Sequence, residues 1–396
     1  MRYLQIGAAL AFALLAGTAP AQVVAPQARA NETSSDALAP PDAASAPIAL
    51  MVDMASGQVL HSREADRRFV PASITKVMTM FLAFELLEDG RIDLRQRMPV
   101  RDETYLEWSG TGSSMGIGRG EQISVHDLLR GISTVSANDG AVVLAEGTAG
   151  STDEWVAMMN AKAREIGMHD SHFGTPNGWP DEGATFVTAR DLATLARAMI
   201  LRHPERYRAY FGHRSFTYRE VTQSNHDPIT GVVAGADGIK TGYTRQAGYG
   251  FLGSAERDGQ RLIMVVGAVP NIPARNRAAR GYMEWGFANF DRDRIFGAGD
   301  VIGEGRVRGG AQGSVPLALQ IPVTVARRAE ADPQVGLQLV YDGPIPAPIA
   351  AGDRVASLRM TIDGQSVSDV PLVATQDVPR GGTLDRLRDG FYNLLQ

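Results

Sequence analysis

The 396-residue chain contains no cysteine, which removes disulfides and thiol chemistry from consideration. Lysine is nearly absent as well. Of 39 lysines and arginines only Lys76, Lys162 and Lys240 are lysines. Arginine cannot give up its proton and is not a compact point charge, so lysines kept in so arginine-biased a chain are candidates for chemistry arginine cannot do. No HExxH pattern occurs and the seven histidines are scattered. His169 and His172 therefore read as structural, and no metal or other cofactor is expected. A net charge of −5 argues against a polyanion-binding surface, so nucleic acid is not an expected partner.

What is present begins with a leader. Arg2 supplies a positive end, Ile6 to Ala16 an apolar core too short for a comfortable membrane span, and Ala19-Pro20-Ala21 a small-residue cleavage site. Ala28-Arg29-Ala30 is a second such site. Residues 1–21 thus predict a signal peptide and export. Residues 22–47, rich in Ala and Pro and without an aromatic, predict a disordered linker.

Strands are predicted at Ile48 to Asp53 and Gln58 to Ser62, and again at Gly238 to Tyr243, Gly248 to Ala255 and Arg261 to Val269, where Asp258-Gly259 marks a hairpin. Between them lie helical spacings at Val125 to Ile132, Gly140 to Glu146, Asp153 to Ile166 and Arg190 to Leu201, and Arg275 to Phe290 follows. The pattern predicts one α+β domain over residues 48–295 whose sheet gathers both ends of the segment. Residues 296–380 turn to short alternating stretches, as in Val315 to Val325, Gly336 to Tyr341 and Arg354 to Ile362, and predict a small all-β domain. Residues 381–396 predict a terminal amphipathic helix with Leu384, Leu387, Phe391, Leu394 and Leu395 on one side. That side suits peripheral contact with a membrane surface, although Asp385 and Asp389 offset Arg386 and Arg388; the alternative is docking on its own domain.

One stretch stands out. In Pro71-Ala72-Ser73-Ile74-Thr75-Lys76, Lys76 is the only charge between Ile74 and Phe84, and the apolar residues run nearly all round. A helix apolar on all sides is buried, and burial lowers a lysine pKa towards the neutral amine. Ser73, three residues earlier, shares its face. A serine beside a potential base is the pattern of nucleophilic catalysis. Ser136-Ala137-Asn138, at a loop between helices, offers a hydroxyl to relay a proton and an amide to bind a substrate amide. Lys240-Thr241-Gly242, on a strand, offers a point charge for a carboxylate, a hydroxyl donor and a close backbone approach. Gly112-Ser113-Ser114-Met115-Gly116 fits G-x-S-x-G, but Gly118 and Gly120 follow, so it reads as a loop lining the cleft.

S-x-x-K, S-x-N and K-T-G in this order resemble the signature of penicillin-binding proteins and serine β-lactamases. Together with Asp139, Leu144-Ala145-Glu146, Met159-Asn160, Ile166-Gly167-Met168 and Tyr243-Thr244, they resemble the D-alanyl-D-alanine carboxypeptidases, the low-molecular-mass penicillin-binding proteins. The resemblance covers residues 48–290, and Gly140 departs from it where alanine is expected. It implies a β-lactamase/transpeptidase-like fold, an antiparallel sheet flanked by helices. It also implies a periplasmic serine peptidase that removes the terminal D-alanine of peptidoglycan stem peptides and is acylated by β-lactams. In that reading Ser73 attacks, Lys76 takes its proton, Ser136 returns a proton to the leaving amine, and Asn138 holds the peptide amide and helps position Lys76. The N–H groups of Ser73 and Tyr243 form the oxyanion hole, and Lys240 and Thr241 bind the terminal carboxylate with Arg275 assisting. The alternatives are a D,D-endopeptidase of crosslinks, a β-lactamase, disfavoured by the want of a Glu-rich deacylating loop, and a non-catalytic cell-wall binding protein.

Overall fold

A computed structural model describes residues 46–328 and 333–382. The predicted leader, almost all of the linker and the terminal helix from residue 383 lie outside the described residues.

Strands β1 (Ile48–Asp53) and β2 (Val59–Arg63) open the chain, and β3 (Ala236–Thr244), β4 (Gly248–Arg257) and β5 (Gln260–Val269) close the first domain. They form one five-stranded sheet in the order β2-β1-β5-β4-β3, antiparallel throughout. The two ends of the segment therefore meet in one sheet, as the distribution of strands predicts. β1 is buried on both faces, and its two-residue period divides it between two cores. Ile48, Leu50 and Val52 join the large helical core, whereas Ala49 and Met51 join the core beneath α8 (Ile272–Asn289). Asn271 caps α8 by accepting from Ala274 N, and an acceptor there satisfies an otherwise orphaned donor. α8 lies close on the sheet because Gly286 leaves room: a Cβ there would stand 2.6 Å from Met51 Sδ.

The other face carries α1 (Lys76–Glu88), α2 (Asp102–Trp108), α3 (Val125–Val135), α4 (Asn138–Ala149), α5 (Thr152–Glu165), α6 (Ala189–Arg202) and α7 (Pro204–Tyr210). α1 is the central helix, with every residue from Lys76 to Phe84 buried. Complete burial of Phe81 and Phe84 contributes about 1.5–3 kcal/mol each. The sequence pattern places Ser73 within this helix. Instead, Ser73 sits on a 3₁₀ turn, Ala72–Thr75, and α1 begins only at Lys76. The preceding Ala72 has φ +51°, a left-handed conformation that turns the chain sharply into the helix.

The β domain holds a six-stranded sheet and a two-stranded ribbon around its own apolar core. The stretch Val315 to Val325 is two strands rather than one, Ser314–Leu319 and Val323–Arg327, and they belong to different sheets. The domain grips the β1–β2 turn: Gln58 Oε1 accepts from Ala326 N at 3.0 Å. Gly57 sits so close that a Cβ would lie 2.5 Å from Val367 O. No helix among the described residues is long and apolar enough to cross a membrane.

Candidate active site

Three segments converge on Lys76, at the start of α1. Its Nζ lies 2.9 Å from Ser73 Oγ, 2.7 Å from Asn138 Oδ1 and 2.7 Å from the Asn177 carbonyl oxygen. The Ser73 contact follows from the 3₁₀ turn, in which side chains at i and i+3 eclipse. Lys76 is completely buried. Burial first, and the charge of Lys240 second, hold the amine well below the usual lysine range, with Asp139 pulling the other way. A neutral amine has two N–H donors and one lone pair. The Asn177 carbonyl and Asn138 Oδ1 only accept, so they take both donors. The lone pair is left for the Ser73 O–H, the arrangement a proton acceptor needs.

Asn138 opens α4, and its orientation is fixed from behind. Its backbone N–H donates to Ser113 O at 2.8 Å and its Nδ2 donates to Thr111 O at 3.2 Å. Oδ1 therefore has to face Lys76. Ser136 ends α3 in the left-handed conformation, φ +63°, and turns its buried side chain to the cleft. Gly112 and Ser113 also line the cleft, as expected of a loop wall rather than a nucleophile elbow.

β3 forms the opposite wall. It is an edge strand, so its outer backbone is unpaired within the sheet and suits an extended peptide. Gly242 lets this edge approach the Ser73 turn: a Cβ there would stand 2.3 Å from Pro71 O. Thr241, Gly242, Tyr243 and Arg275 line a cleft of about 1000 Å³ together with Ser73, Ser136 and Asn138. Lys240 lies just behind, donating to Thr241 O at 2.9 Å. Burial first, and Arg275 second, bring Lys240 down to about 7, with Asp227 opposing. Arg275, on α8, is also buried and donates through Nε to Asn276 Oδ1 at 2.9 Å. Tyr243 stacks on Tyr249 at 4.2 Å between ring centroids.

The third wall has no counterpart among the sequence motifs. Loop 174–188 supplies the Asn177 carbonyl, and Trp179 lines the cleft edge-on to Trp108 at 5.5 Å. Thr79, one turn beyond Lys76, ties the loop down by donating to Pro176 O at 2.6 Å. The dipeptide Asn177-Gly178 and Pro180 were its turn signals. Asp181 faces its own loop, accepting from Thr185 N at 3.1 Å. Asp227, the one carboxylate lining the cleft among the described residues, is occupied by Ile229 N at 2.8 Å and by the Thr230 hydroxyl at 2.5 Å. Away from the cleft, His172 is held by Ala184 O at 2.9 Å and stacks on Phe186. Among the described residues no group of three or more His, Cys, Asp or Glu is placed to hold a metal.

Residues 33–270 match the D-alanyl-D-alanine carboxypeptidase family model, and residues 290–380 match that of the penicillin-binding protein 5 C-terminal domain. The D-alanyl-D-alanine carboxypeptidase DacA of Haemophilus influenzae is 31% identical over 344 residues, 86% of this chain and 87% of the relative. DacC of Escherichia coli is 31% identical over 382 residues, 95% of this chain and 94% of the relative. The crystal structure of penicillin binding protein 5 from H. influenzae superposes with a TM-score of 0.71 at 30% identity, covering 85% of this chain and 98% of that one. Penicillin-binding protein D2 of Listeria monocytogenes, solved in its ampicillin-bound form, superposes with a TM-score of 0.56 at 29% identity, covering 61% of this chain and 97% of that one. With a transpeptidase-like α+β domain followed by an all-β domain, the chain belongs to the D-alanyl-D-alanine carboxypeptidase family of serine peptidases.

Proposed function

We propose that Ser73 is the nucleophile and neutral Lys76 the base of this carboxypeptidase. Ser73 Oγ attacks the carbonyl carbon between the two terminal D-alanines of a stem pentapeptide, and its proton passes to Lys76. The Ser73 and Tyr243 N–H groups receive the oxyanion. As the C–N bond breaks, Ser136 relays a proton to the departing D-alanine amine. Water then attacks the acyl carbon and gives a proton to Lys76; the bond to Ser73 Oγ breaks, Lys76 returns that proton to Oγ, and a peptide one residue shorter leaves. Asn138 holds the substrate amide and fixes Lys76; Thr241, Arg275 and Lys240 receive the terminal carboxylate, and Gly242 admits the peptide to the edge of β3. A β-lactam acylates the same serine by opening its ring amide.

The observation that carries this reading is the contact set of Lys76, two pure acceptors and one hydroxyl, in full burial. The catalytic domain on this reading is residues 48–295 and the β domain residues 296–380. Residues 1–21 direct export to the periplasm, and the segment from residue 383 attaches the enzyme to the outer face of the cytoplasmic membrane.

The test has two parts. A fluorescent penicillin should label the parent protein but neither Ser73→Ala nor Lys76→Arg; labelled Ser73→Ala overturns the nucleophile and normal acylation of Lys76→Arg overturns the base. Released D-alanine from a pentapeptide, set against cleavage of a crosslinked dimer, separates carboxypeptidase from endopeptidase. Turnover confined to the dimer would reject the substrate assignment.

A further inference from the structure

Asp139 follows Asn138 in the first turn of α4 and is completely buried. Its carboxylate accepts five hydrogen bonds. Oδ1 takes Met115 N at 3.0 Å and Gly140 N at 2.8 Å, and Oδ2 takes the Ser114 hydroxyl at 2.6 Å, Gly116 N at 3.2 Å and Ile117 N at 3.4 Å. Four of these donors belong to the loop between α2 and α3. The same loop carries the Ser113 and Thr111 carbonyls that receive the backbone and side-chain N–H groups of Asn138. Gly112, between them, packs so tightly that a Cβ would lie 2.7 Å from Asn138 Nδ2. No hydrogen bond joins the Asp139 side chain to that of Asn138 or Lys76; the connection runs through the loop.

We propose that Asp139 is a positioning residue for acylation: its carboxylate fixes the 111–117 loop so that the loop's carbonyls aim Asn138 Oδ1 at Lys76. An asparagine amide can turn over and present either end. Here Thr111 O accepts from the nitrogen end, which leaves the oxygen for the lysine. If the loop relaxes, that choice is lost, Lys76 loses one of its two acceptors, and its lone pair no longer points at Ser73. Asp139 also acts at a distance, because its negative charge favours the protonated amine. The charged group that opposes it is Lys240 on β3, which Arg275 on α8 in turn acts upon. The proposal rests on Lys76 as the base.

The test is the second-order rate of acylation by a fluorescent penicillin across pH. Asp139→Asn is nearly isosteric but loses the charge and turns one acceptor into a donor. Its plateau rate should fall roughly 10- to 100-fold, as a misplacement on the order of 1 Å demands. Its acid limb should move to lower pH, because the charge that favours protonated Lys76 is gone. Ser114→Ala keeps the charge and removes one of the five bonds, so it should lose roughly 3- to 10-fold with an unmoved limb. A folded Asp139→Asn with the parental plateau overturns the proposal, as does a lowered plateau with an unmoved limb, which marks a structural role only. Should Asp139→Asn fail to fold, parental acylation of Ser114→Ala overturns it instead. Lys76→Arg distinguishes the two readings. If it acylates normally the base assignment has failed, and if it is inactive while Asp139→Asn behaves as the parent, only the positioning role has failed.

Discussion

Gly178→Ala puts a number on how tightly the loop carrying the Asn177 carbonyl is held. Gly178 has φ +75°, where an L residue costs about 1–2 kcal/mol. Its position is also filled: an added Cβ would meet Ala72 O at 1.9 Å, Ala72 C at 2.5 Å and Thr75 Oγ1 at 2.8 Å. Two of these atoms are backbone next to Ser73 and cannot rotate away. Opening the first contact even to 3.0 Å moves the chain at least about 1.1 Å. The loop cannot retreat freely, because Thr79 holds Pro176 O at 2.6 Å. The displacement therefore falls on Asn177, whose carbonyl stands 2.7 Å from Lys76 Nζ, or on the Ser73 turn itself. A 1 Å misplacement of reacting groups costs about 100-fold in rate, or about 2.7 kcal/mol of barrier. Overpacking adds roughly 1–3 kcal/mol to the loss of stability, which a domain of ordinary stability survives. Gly183→Ala is the control: the same loop, φ +92°, and nothing within 4 Å of the added Cβ. It carries the strain without the clash. Time courses of penicillin labelling and thermal unfolding of both variants give the comparison. Gly178→Ala should acylate about 100-fold more slowly than Gly183→Ala and melt lower. Equal acylation rates in the two would refute the claim that this loop holds Lys76 in place.

Two further outcomes follow from the cleft and the chain's end. Burial and the charge of Arg275 bring Lys240 down to about 7. Below that pH a carboxylate meets a charged amine, and above it binding must draw in a proton. KM for a peptide ending in a carboxylate should rise above pH 7, by up to about tenfold per unit, while the corresponding carboxamide stays flat. Parallel profiles for the two peptides would remove Lys240 from carboxylate recognition. Deletion of residues 383–396 should move the protein from the membrane fraction to the soluble fraction of a cell lysate; unchanged fractionation would reject that segment as the anchor.

Most of the fold was legible because its signals are periodic. The paired faces of β1 and the spacing in α3, α5 and α6 depend on side chains at regular intervals, and the observed elements lie within a few residues of the predicted ones. The Asp258-Gly259 hairpin sits between β4 and β5 as its turn residues predict. The failures are local. Ser73 has a helical neighbourhood in sequence, but Gly242 brings the edge of β3 within reach of Pro71 O, and the chain meets it in a 3₁₀ turn. No periodicity in residues 71–76 reports a strand that arrives 170 residues later. Val315 to Val325 reads as one alternating stretch, yet the residues between Leu319 and Val323 send its two halves to different sheets.

The side chains that line the candidate site were legible in the sequence, whereas the carbonyls that hold Lys76 and Asn138 were not. Lys76 and Lys240 announce themselves because a lone lysine in an apolar helix, or in an arginine-rich chain, has no ordinary reason to be there, and Ser73 and Asn138 because they stand in S-x-x-K and S-x-N. The Asn177 carbonyl announces nothing, since every residue has one. Its role is set by Gly178, which permits contact with Ala72, and by Thr79, which holds the neighbouring Pro176 O. The Ser113 and Thr111 carbonyls are silent for the same reason: the glycines at 112 and 116 mark their loop, but nothing in the sequence marks which carbonyls it presents. The lysine needs these silent groups most. Burial lowers the pKa of its amine but does not by itself aim a lone pair. Two fixed carbonyl-type oxygens consume its two N–H donors, and the remaining direction is Ser73.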